Sequence, residues 1–411
     1  MRRMPPYHRS LQRSQMTLTV LFDLDDTLLH TNMPEFIPAY FGSLGQTFSN
    51  LASPKQIAQQ IQFAVAQMEA NQDPSIGLHE IFSQNFYPPL STTEGENTET
   101  LTKFYRDEYP NLQAVTGQVP GVLDLIDWCR SQGAQMAIAT NPLFPETATR
   151  QRINWAGVHP EDFEFFSSFD NFHFTKPNLT YYAECLGRLG WPEGHVIMVG
   201  DSLTHDLLPM ETMGFPTFWI NPPEDNPGRP HGSLSAVKSW LPEITSRAPV
   251  ELVNTPEVNN AILRSTPAVL DSWIKENNGT AFTVKSSPAE WNMTEVLWHM
   301  ADMEAEVYLP QWQQLLSDPS ILLSAPDISQ WAVDRQYHCR SITEAWEKFV
   351  TARKKSLFCF EEIDQKGLFQ TTIQHTIFSY ATVSELVAFT ARHDRIHLRQ
   401  CKGLLDFYKI Y

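Results

Sequence analysis

The sequence predicts an α/β domain followed by a separate all-α domain. In the first half, short β-rich runs alternate with helix-length stretches; the runs are "TLTVLF", "AQMAIAT", "FEFFSSF", "HVIMVG" and "PTFWI". Such alternation is typical of a parallel sheet built from βαβ units. After about Glu251 the β-rich runs give way to amphipathic helices that contain tryptophan. The length of 411 residues also favours two or three domains over one.

Composition excludes several classes of function. A net charge of −17 argues against a general nucleic-acid binder, which would carry a clustered basic surface. No stretch approaches the roughly 18 apolar residues of a membrane helix, so we expect no membrane partner. The five cysteines are odd in number, widely spaced and form no CxxC pair. They indicate reduced thiols and a cytoplasmic location.

The predicted elements divide the chain into consecutive regions. Residues 1–15 are basic and predict a loosely ordered tail, and residues 16–222 carry the α/β pattern. Within them, residues 32 to about 116 contain helical segments without a strong strand, which is too long for a plain loop and predicts a helical cap. Residues 223–250 are rich in Pro, Gly and Ser and predict a linker with one short helix. Residues 251–411 contain four amphipathic helices and predict a four-helix bundle.

Acidic residues crowd the end of the first predicted strand. The stretch "TVLFDLDDTLLHTN" places Asp23 and Asp25 directly after an apolar run. A carboxylate can attack phosphorus if a divalent cation offsets the negative charge and an acid protonates the leaving oxygen. In an extended segment, residues two apart point to the same side, so both carboxylates can face one substrate.

Later strand ends supply the remaining groups of such a site. "MAIATN" ends in Thr140 and Asn141, which can hold phosphoryl oxygens, and "TKPN" offers Lys176 as a neutralising cation. "VIMVGDSLTHD" ends in Asp201 and Asp206, which are hard oxygen ligands suited to Mg²⁺. Each residue alone has an ordinary explanation as a turn, a helix cap or a surface charge. Together, in this order and at strand ends, they indicate one site.

These motifs resemble those of the haloacid dehalogenase (HAD) superfamily. The family's DxDxT motif reads Asp23 to Thr27 here, and its strand-terminal Thr, its Lys and its GDxxxxD motif match Thr140, Lys176 and Gly200 to Asp206. The resemblance covers residues 17 to about 220 and implies a Rossmann-like core. The position of the insertion, between the first and second motifs, is similar to that of the family's helical C1-type cap.

The resemblance also implies a role for each residue. Asp23 would be the nucleophile and Asp25 the general acid and base, while Thr140 and Lys176 would bind the phosphoryl group. Mg²⁺ would be held by Asp23, the backbone carbonyl of Asp25 and Asp201, with Asp206 supporting the site from outside the ligand set.

Asp25 decides between the reactions of the superfamily. Its dehalogenases lack an acid at this position because a halide leaves without a proton, so phosphoryl transfer is favoured. The function that we expect is that of a phosphatase acting on a small phosphorylated metabolite. A phosphomutase and a phosphonate-cleaving enzyme stay open as alternatives.

The second half carries a separate group of histidines. "ARHDRIHLRQ" sets His393 and His397 one helical turn apart on one face, a spacing that lets two imidazoles share a metal, and His299 is a plausible third ligand. His338 and His375 are expected to be ordinary surface or core residues.

The surrounding residues resemble the DinB/YfiT-type four-helix bundle. Its marks are Trp291, the stretch Glu295 to Glu304 ("EVLWHMADME") and the late "HDRIH" of residues 393–397. The resemblance covers about residues 252–411 and implies that His299, His393 and His397 hold Zn²⁺, Ni²⁺ or Fe²⁺. It also allows a homodimer through the bundle, and leaves open a thiol-dependent transferase or a metal sensor as the function of this half.

Overall fold

The computed structural model describes residues 18–222 and 228–410. The predicted tail over residues 1–15 lies outside these ranges, as do residues 223–227 of the predicted linker. In the described residues, no helix is both long and apolar enough to cross a membrane. All five cysteines are free thiols.

The first domain contains a parallel sheet of five strands. The strands of this domain are β1 (Leu18–Phe22), β2 (Leu29–Thr31), β3 (Thr116–Gln118), β4 (Gln135–Ile138), β5 (His195–Gly200), β6 (Thr217–Ile220) and β7 (His231–Gly232). The sheet has the order β4-β1-β5-β6-β7, and every neighbouring pair is parallel. All five residues of β1 and all six of β5 are buried, as expected for central strands covered by helices on both faces. The predicted α/β class is therefore confirmed.

One predicted strand is not formed. The run "FEFFSSF" (residues 163–169) makes a single bridge between Phe166 and Ile138 and is otherwise irregular. Its aromatic side chains are buried against the domain instead, since Phe163, Phe165 and Phe166 are each at most 8% exposed. Hydrophobic packing accounts for the β-like composition of this run without a regular ladder.

The first domain has α-helices in its core and in its cap. The α-helices of the whole domain are α1 (Met33–Thr47), α2 (Pro54–Glu69), α3 (Leu78–Phe86), α4 (Glu94–Lys103), α5 (Val122–Ser131), α6 (Glu146–Trp155), α7 (Leu179–Arg188), α8 (Leu208–Thr212) and α9 (Leu234–Thr245). Helices α1 to α4 occupy the predicted cap, and two of them begin at capping boxes formed by Ser53 and Thr93. The antiparallel pair β2 and β3 brackets this insertion, which the sequence analysis did not predict.

The predicted linker differs from the structure. Its residues His231 and Gly232 extend the sheet as β7, and α9 packs on α5 through buried Leu234, Val237 and Leu241. The sequence analysis predicted a linker with one short helix, and α9 stands at that place; the spacing of its three apolar residues provides a buried helix face, so it packs on the first domain.

The second domain is a bundle of long helices. Its helices are α10 (Pro256–Glu276), α11 (Met293–Met303), α12 (Leu309–Ser317), α13 (Trp331–Asp334), α14 (Ile342–Gln365) and α15 (Val383–Ile410). A π-helical turn, Glu304–Tyr308, joins α11 to α12, so the bundle consists of α10, α11–α12, α14 and α15, which is the predicted arrangement. A small sheet of β8 (Leu322–Leu323), β9 (Thr372–His375) and β10 (Ser379–Thr382) was not predicted.

The two domains pack around one continuous hydrophobic cluster. It joins side chains of β1, α7 and α10, such as Leu21, Leu186 and Val269. Helix α7 is buried from Thr180 to Arg188, and it approaches α10 so closely that a Cβ added at Gly187 would lie 2.7 Å from Val269 Cγ2. Glycine at this position therefore permits the contact between the domains.

A buried histidine lies where these domains meet. His173 Nδ1 is 3.0 Å from Glu184 Oε1 on α7, and His173 Nε2 is 2.9 Å from Asp271 Oδ2 on α10. Burial alone would lower the pKa of His173, but the two carboxylates outweigh it and raise the pKa to about 9. The imidazole is therefore a buried cation at neutral pH, and it ties the bundle to the segment that contains Lys176.

The cap also contacts this junction and the bundle. Asn71 Nδ2, at the end of α2, donates to the carbonyl oxygen of His173 at 2.8 Å. Arg264 of α10 donates to the carbonyl oxygen of Gln72 at 2.8 Å, and Lys354 of α14 lies 2.6 Å from Asp73 Oδ2. The loop after α2 is thus held by the core and by the bundle together.

We predict that Asp271→Asn changes how the free energy of unfolding depends on pH. The pKa of His173 is raised from 6.5 to about 9, so its stabilising contribution is fully present below pH 6.5 and is lost as the pH rises through about 9. The wild-type protein should lose on the order of 3 kcal/mol from this group over that range, since one pKa unit corresponds to about 1.4 kcal/mol. The variant, with one carboxylate fewer, should lose less, as read from urea unfolding at each pH.

Lys275→Gln is the matched control. Lys275 also pairs with Asp271, at 2.6 Å, but its side chain is 60% exposed, so its removal should leave the pH dependence near that of the wild type. The same pH dependence in Asp271→Asn and in the wild type would show that Asp271 does not hold the charge on His173.

Candidate functional site

Three carboxylates meet at the carboxyl edge of the parallel sheet. Asp23 directly follows β1, its backbone N–H donating to the carbonyl oxygen of Val199, and Asp201 directly follows β5. Asp206 joins them, and each of the three residues has a carboxylate oxygen within 4.8 Å of one on each of the others. Parallel strands place their carboxyl ends at one edge, which is where this fold class binds ligands.

A π-helical turn brings Asp206 into the group. The turn Leu203–Leu207 begins after Ser202, whose N–H donates to Asp206 Oδ2 at 3.0 Å. A Cβ added at Gly200 would lie 2.4 Å from the same oxygen, so only glycine leaves room for this carboxylate. Asp206 was expected to support the magnesium site from outside the ligand set, and its carboxylate lies beside those of Asp23 and Asp201.

Lys176 is the cation that balances these acids. Its Nζ donates to Asp23 Oδ1 at 2.7 Å and to Asp206 Oδ1 at 2.5 Å, and its side chain is buried. Burial would lower the pKa of Lys176, but the charges of Asp206 and Asp23 outweigh it and hold the pKa well above its usual value. The ammonium group is therefore permanently charged at the centre of the site.

One lysine does not neutralise this concentration of negative charge. Burial raises the pKa of Asp23 well above its usual value; Lys176 opposes this shift, and the carboxylates of Asp206 and Asp201 add to it. Burial and the charge of Asp206 raise the pKa of Asp201 to about 7. A group of crowded oxygen donors with raised pKa values fits a hard divalent cation such as Mg²⁺.

The loop after β4 is fixed beside this group. The carbonyl oxygen of Thr140 accepts hydrogen bonds from Ser167 Oγ at 2.6 Å and from the Tyr181 hydroxyl at 2.7 Å. Asn141 Oδ1 accepts from the backbone N–H of Lys176 at 3.2 Å, which connects the two predicted phosphate-binding segments. Thr140, Asn141 and Lys176 thus lie on one hydrogen-bonded framework.

Asp25 has different partners from Asp23. Thr31 Oγ1 donates to Asp25 Oδ1 at 2.6 Å, and the buried guanidinium of Arg152 on α6 is hydrogen-bonded to Asp25 Oδ2. The Asp25 carboxylate does not belong to the acidic group of Asp23, so the structure supports no role for this carboxylate as a metal ligand. The two predicted catalytic carboxylates are therefore in separate electrostatic environments.

The sequence analysis missed Arg152 and Thr31. Arg152 is 1% exposed, and its guanidinium carbon lies 4.8 Å from the ring centroid of Phe144 and 5.6 Å from that of Phe36. No local signal separates it from Arg150, which pairs with Glu146 and is much more exposed. Thr31 ends β2, six residues after Asp25, and could have been found from the sequence as a hydroxyl near Asp25.

The three predicted histidines of the bundle also come together. His299 lies on α11, and His393 and His397 lie on α15; their nitrogen atoms are within 4.8 Å of one another. His299 Nε2 is 3.1 Å from His393 Nε2. His338 is exposed and His375 is buried beside Gln311, so both lie outside this group, as expected.

The imidazoles are held neutral. Burial, together with the charge of His397, lowers the pKa of His299 to about 3, and burial lowers the pKa of His397 to about 4. Burial and the two neighbouring imidazoles lower the pKa of His393 well below its usual value, and its Nδ1 has no hydrogen-bond partner. Three neutral, convergent imidazoles fit a transition-metal ion.

A buried ion cluster lies below the histidines. Arg353 on α14 donates to Asp394 Oδ2 at 2.5 Å and to Glu304 Oε2 at 2.7 Å, and all three side chains are 1% exposed. Asp394 of the "HDRIH" motif is thus used to orient α15 against α14 and does not join the three imidazoles. The sequence analysis missed Arg353, although an arginine four residues after buried Phe349 on an apolar helix face is a detectable signal.

Comparisons with known proteins match both halves of the chain. The family model of haloacid dehalogenase-like hydrolases matches residues 17–214, and that of the DinB superfamily matches residues 262–401. Among solved structures, a HAD phosphatase from Thermococcus onnurineus is 20% identical with a TM-score of 0.38, over 55% of this chain and 98% of that chain. The HAD-hydrolase YfnB from Bacillus subtilis is 22% identical with a TM-score of 0.33, over 55% and 98%.

The bundle has its own structural relative. YfiT from Bacillus subtilis, a four-helix bundle protein, is 13% identical with a TM-score of 0.34, over 38% of this chain and 87% of that chain. A comparison with curated protein sequences finds no match. The first matched range contains the acidic group with Lys176, and the second contains the three histidines. Residues 17–214 therefore match the family of haloacid dehalogenase-like hydrolases, and residues 262–401 match the DinB superfamily.

Proposed function

We propose that the first domain is a Mg²⁺-dependent phosphatase that hydrolyses a phosphorylated metabolite through an aspartyl-phosphate on Asp23. The observation that carries this proposal is that two carboxylates of one segment have different hydrogen-bond partners. Asp23 is bonded to Lys176 within the acidic group, whereas Asp25 is bonded to Arg152 and Thr31 outside it. Neighbouring carboxyl groups in different environments are the usual arrangement for separate nucleophilic and acid–base roles.

Each residue then has a step in the reaction. A carboxylate oxygen of Asp23 forms a bond to phosphorus while the bond from phosphorus to the alcohol oxygen breaks, and Asp25 gives that oxygen a proton. Lys176 and Thr140 bind the phosphoryl oxygens throughout. Asp25 next takes a proton from the attacking water, which releases inorganic phosphate and restores Asp23.

Magnesium would be held by Asp23, Asp201 and the backbone carbonyl of Asp25, with Asp206 beside it. When bound, it supplies positive charge that offsets the approach of an anionic nucleophile to an anionic phosphoryl group. Asp25 favours phosphoryl chemistry over dehalogenation. A phosphomutase and a phosphonate-cleaving enzyme remain the alternatives, since both would use the same groups.

We further propose that the bundle holds one transition-metal ion at His299, His393 and His397. The support is the convergence of three neutral imidazoles, buried or half-buried, beside the rings of Trp291 and Tyr308. Such a site leaves positions open for water or substrate, which suits a thiol-dependent transferase or a metal sensor as well as a purely structural ion.

We predict that Asp25→Asn slows turnover in a way that depends on the leaving group. For an alkyl phosphate the loss should be about 10²- to 10⁴-fold, because the alcohol oxygen needs a proton. For p-nitrophenyl phosphate the loss in the first step should be smaller, because nitrophenolate leaves without one. The measurement is kcat/KM for both esters.

Asp23→Asn is the matched comparison, since its amide neither attacks phosphorus nor binds a metal well. It should abolish turnover of both esters to the same extent while the protein stays folded. Equal losses on the two esters in Asp25→Asn would contradict the acid role, and wild-type rates in Asp23→Asn would contradict the aspartyl-phosphate.

We predict that the bundle metal can be removed without loss of the Mg²⁺-dependent activity of the first domain. Replacing His393 and His397 by Ala should remove roughly one equivalent of tightly bound transition metal per chain, read by elemental analysis, because one imidazole is too few to retain it. Mg²⁺-dependent turnover should be nearly intact, because hard oxygen donors form the other site. EDTA-treated wild-type protein given only Mg²⁺ should likewise regain phosphatase activity.

His338→Ala is the control, because this exposed histidine lies outside the metal group and its loss should leave the metal content unchanged. Unchanged metal content in the double variant would refute the proposed ligands. A collapse of turnover in a folded double variant would show instead that the bundle metal and the hydrolase site are coupled.

A further inference from the structure

A large cavity lies between the cap and the core domain. Its volume is about 650 Å³, within the range of small-molecule sites. Side chains from all four cap helices line it, together with the loop that follows Asn141. Most of the lining is apolar or aromatic, including Phe41, Phe82 and Phe144. Burial raises the pKa of Tyr40, another lining residue, to about 12, which agrees with an environment of low polarity.

The loop of Asn141 connects this cavity to the site. Phe144, three residues after Asn141, lines the cavity, and its ring lies 4.8 Å from the Arg152 guanidinium that binds Asp25. Gln151, next to Arg152 on α6, lines the cavity as well. The cavity is therefore on the side of the site where Asp25 would protonate the leaving alcohol.

Charged groups in the cavity wall are already paired. His79 lies 2.6 Å from Glu94 and 3.1 Å from Asp170, and Arg106 forms two hydrogen bonds with Asp107. Among the described residues that line the cavity, the cations are His79, which is paired with two carboxylates, and Arg106, which is 64% exposed and paired with Asp107 outside the lining. The wall also carries the carboxylates of Glu94 and Asp170, so a leaving group with its own carboxylate or phosphate would be desolvated beside groups of like charge.

We infer that the alcohol part of the substrate is neutral and apolar, such as a long alkyl or an aromatic group, and that it binds in this cavity. This inference rests on the proposed phosphatase function and specifies its substrate class. Burial of apolar surface supplies the binding energy, while the phosphoryl group stays at Asp23 and Lys176.

A series of n-alkyl phosphates from methyl to octyl tests the inference, because their leaving alcohols differ little in basicity. We expect kcat/KM to rise about threefold to fourfold per methylene until the cavity is filled. A 4-carboxybutyl phosphate, close in length to pentyl phosphate, should be at least tenfold poorer than pentyl phosphate. A flat series, or a carboxylated ester as good as the alkyl one, would overturn the inference.

Cavity-filling variants test whether the rise of kcat/KM with chain length arises from binding in this cavity. Val65→Trp on α2 and Thr98→Trp on α4 both fill the cavity and should abolish the gain with chain length. Thr98 is exposed at one edge, so this variant keeps the test decisive should Val65→Trp fail to fold. Phe63→Trp is the control, because Phe63 is 50% exposed on α2 and does not line the cavity.

Calorimetric binding of octan-1-ol separates the two proposals. If no ester is turned over but octanol binds the wild type and not Thr98→Trp, the phosphatase proposal fails while the apolar ligand class stands. If octanol does not bind the wild type, the cavity does not take an apolar alcohol and the inference is refuted.

Discussion

The structure depends on two buried cations that lie three residues apart on one segment. His173 lies between Glu184 and Asp271, and Lys176 lies between Asp23 and Asp206. A buried charge is stable only when it is paired and hydrogen-bonded, so each cation compels two carboxylates from distant parts of the chain to converge on it. The pair on Lys176 assembles the acidic site at the sheet edge, and the pair on His173 attaches the bundle to the core. Site and domain arrangement therefore share one short stretch of backbone.

This arrangement gives a physical reason for the fusion of the two domains. Helix α7 is buried on all sides because α10 covers the face that would otherwise be exposed to solvent. The bundle also holds the cap, through Arg264 and Lys354, at the loop that carries Asn71. Movement of the cap relative to the core would have to break or bend these contacts, and the bundle also completes the hydrophobic cluster.

The sequence predicted those features that depend on local order, and it missed those that depend on distant pairing. Residues at strand ends, such as Asp23 and Asp201, could be placed at one edge because parallel strands align their ends, and His393 and His397 share a face because they are one helical turn apart. Arg152 could not be found, because its partner Asp25 is 127 residues away and nothing nearby separates it from Arg150. The packing of α9 could not be found for the same reason: composition indicated a linker with one short helix, whereas burial of that helix depends on α5 about a hundred residues earlier. The structure gives the positions of the predicted site residues, whereas their catalytic and metal-binding roles stay predictions.

The two candidate metal sites differ in the charge of the groups that line them. At the sheet edge, carboxylates with raised pKa values surround a single ammonium group, so the site is short of positive charge and favours a hard, doubly charged ion with oxygen ligands. In the bundle, burial has removed the charge from His299 and His397, so the site offers lone pairs without net charge and favours a borderline metal bound largely through nitrogen. Arg353, which is hydrogen-bonded to both Asp394 and Glu304, holds these acidic oxygens away from the imidazoles. The three imidazoles would thus bind Mg²⁺ poorly, and the two sites would differ in the metal that each one prefers.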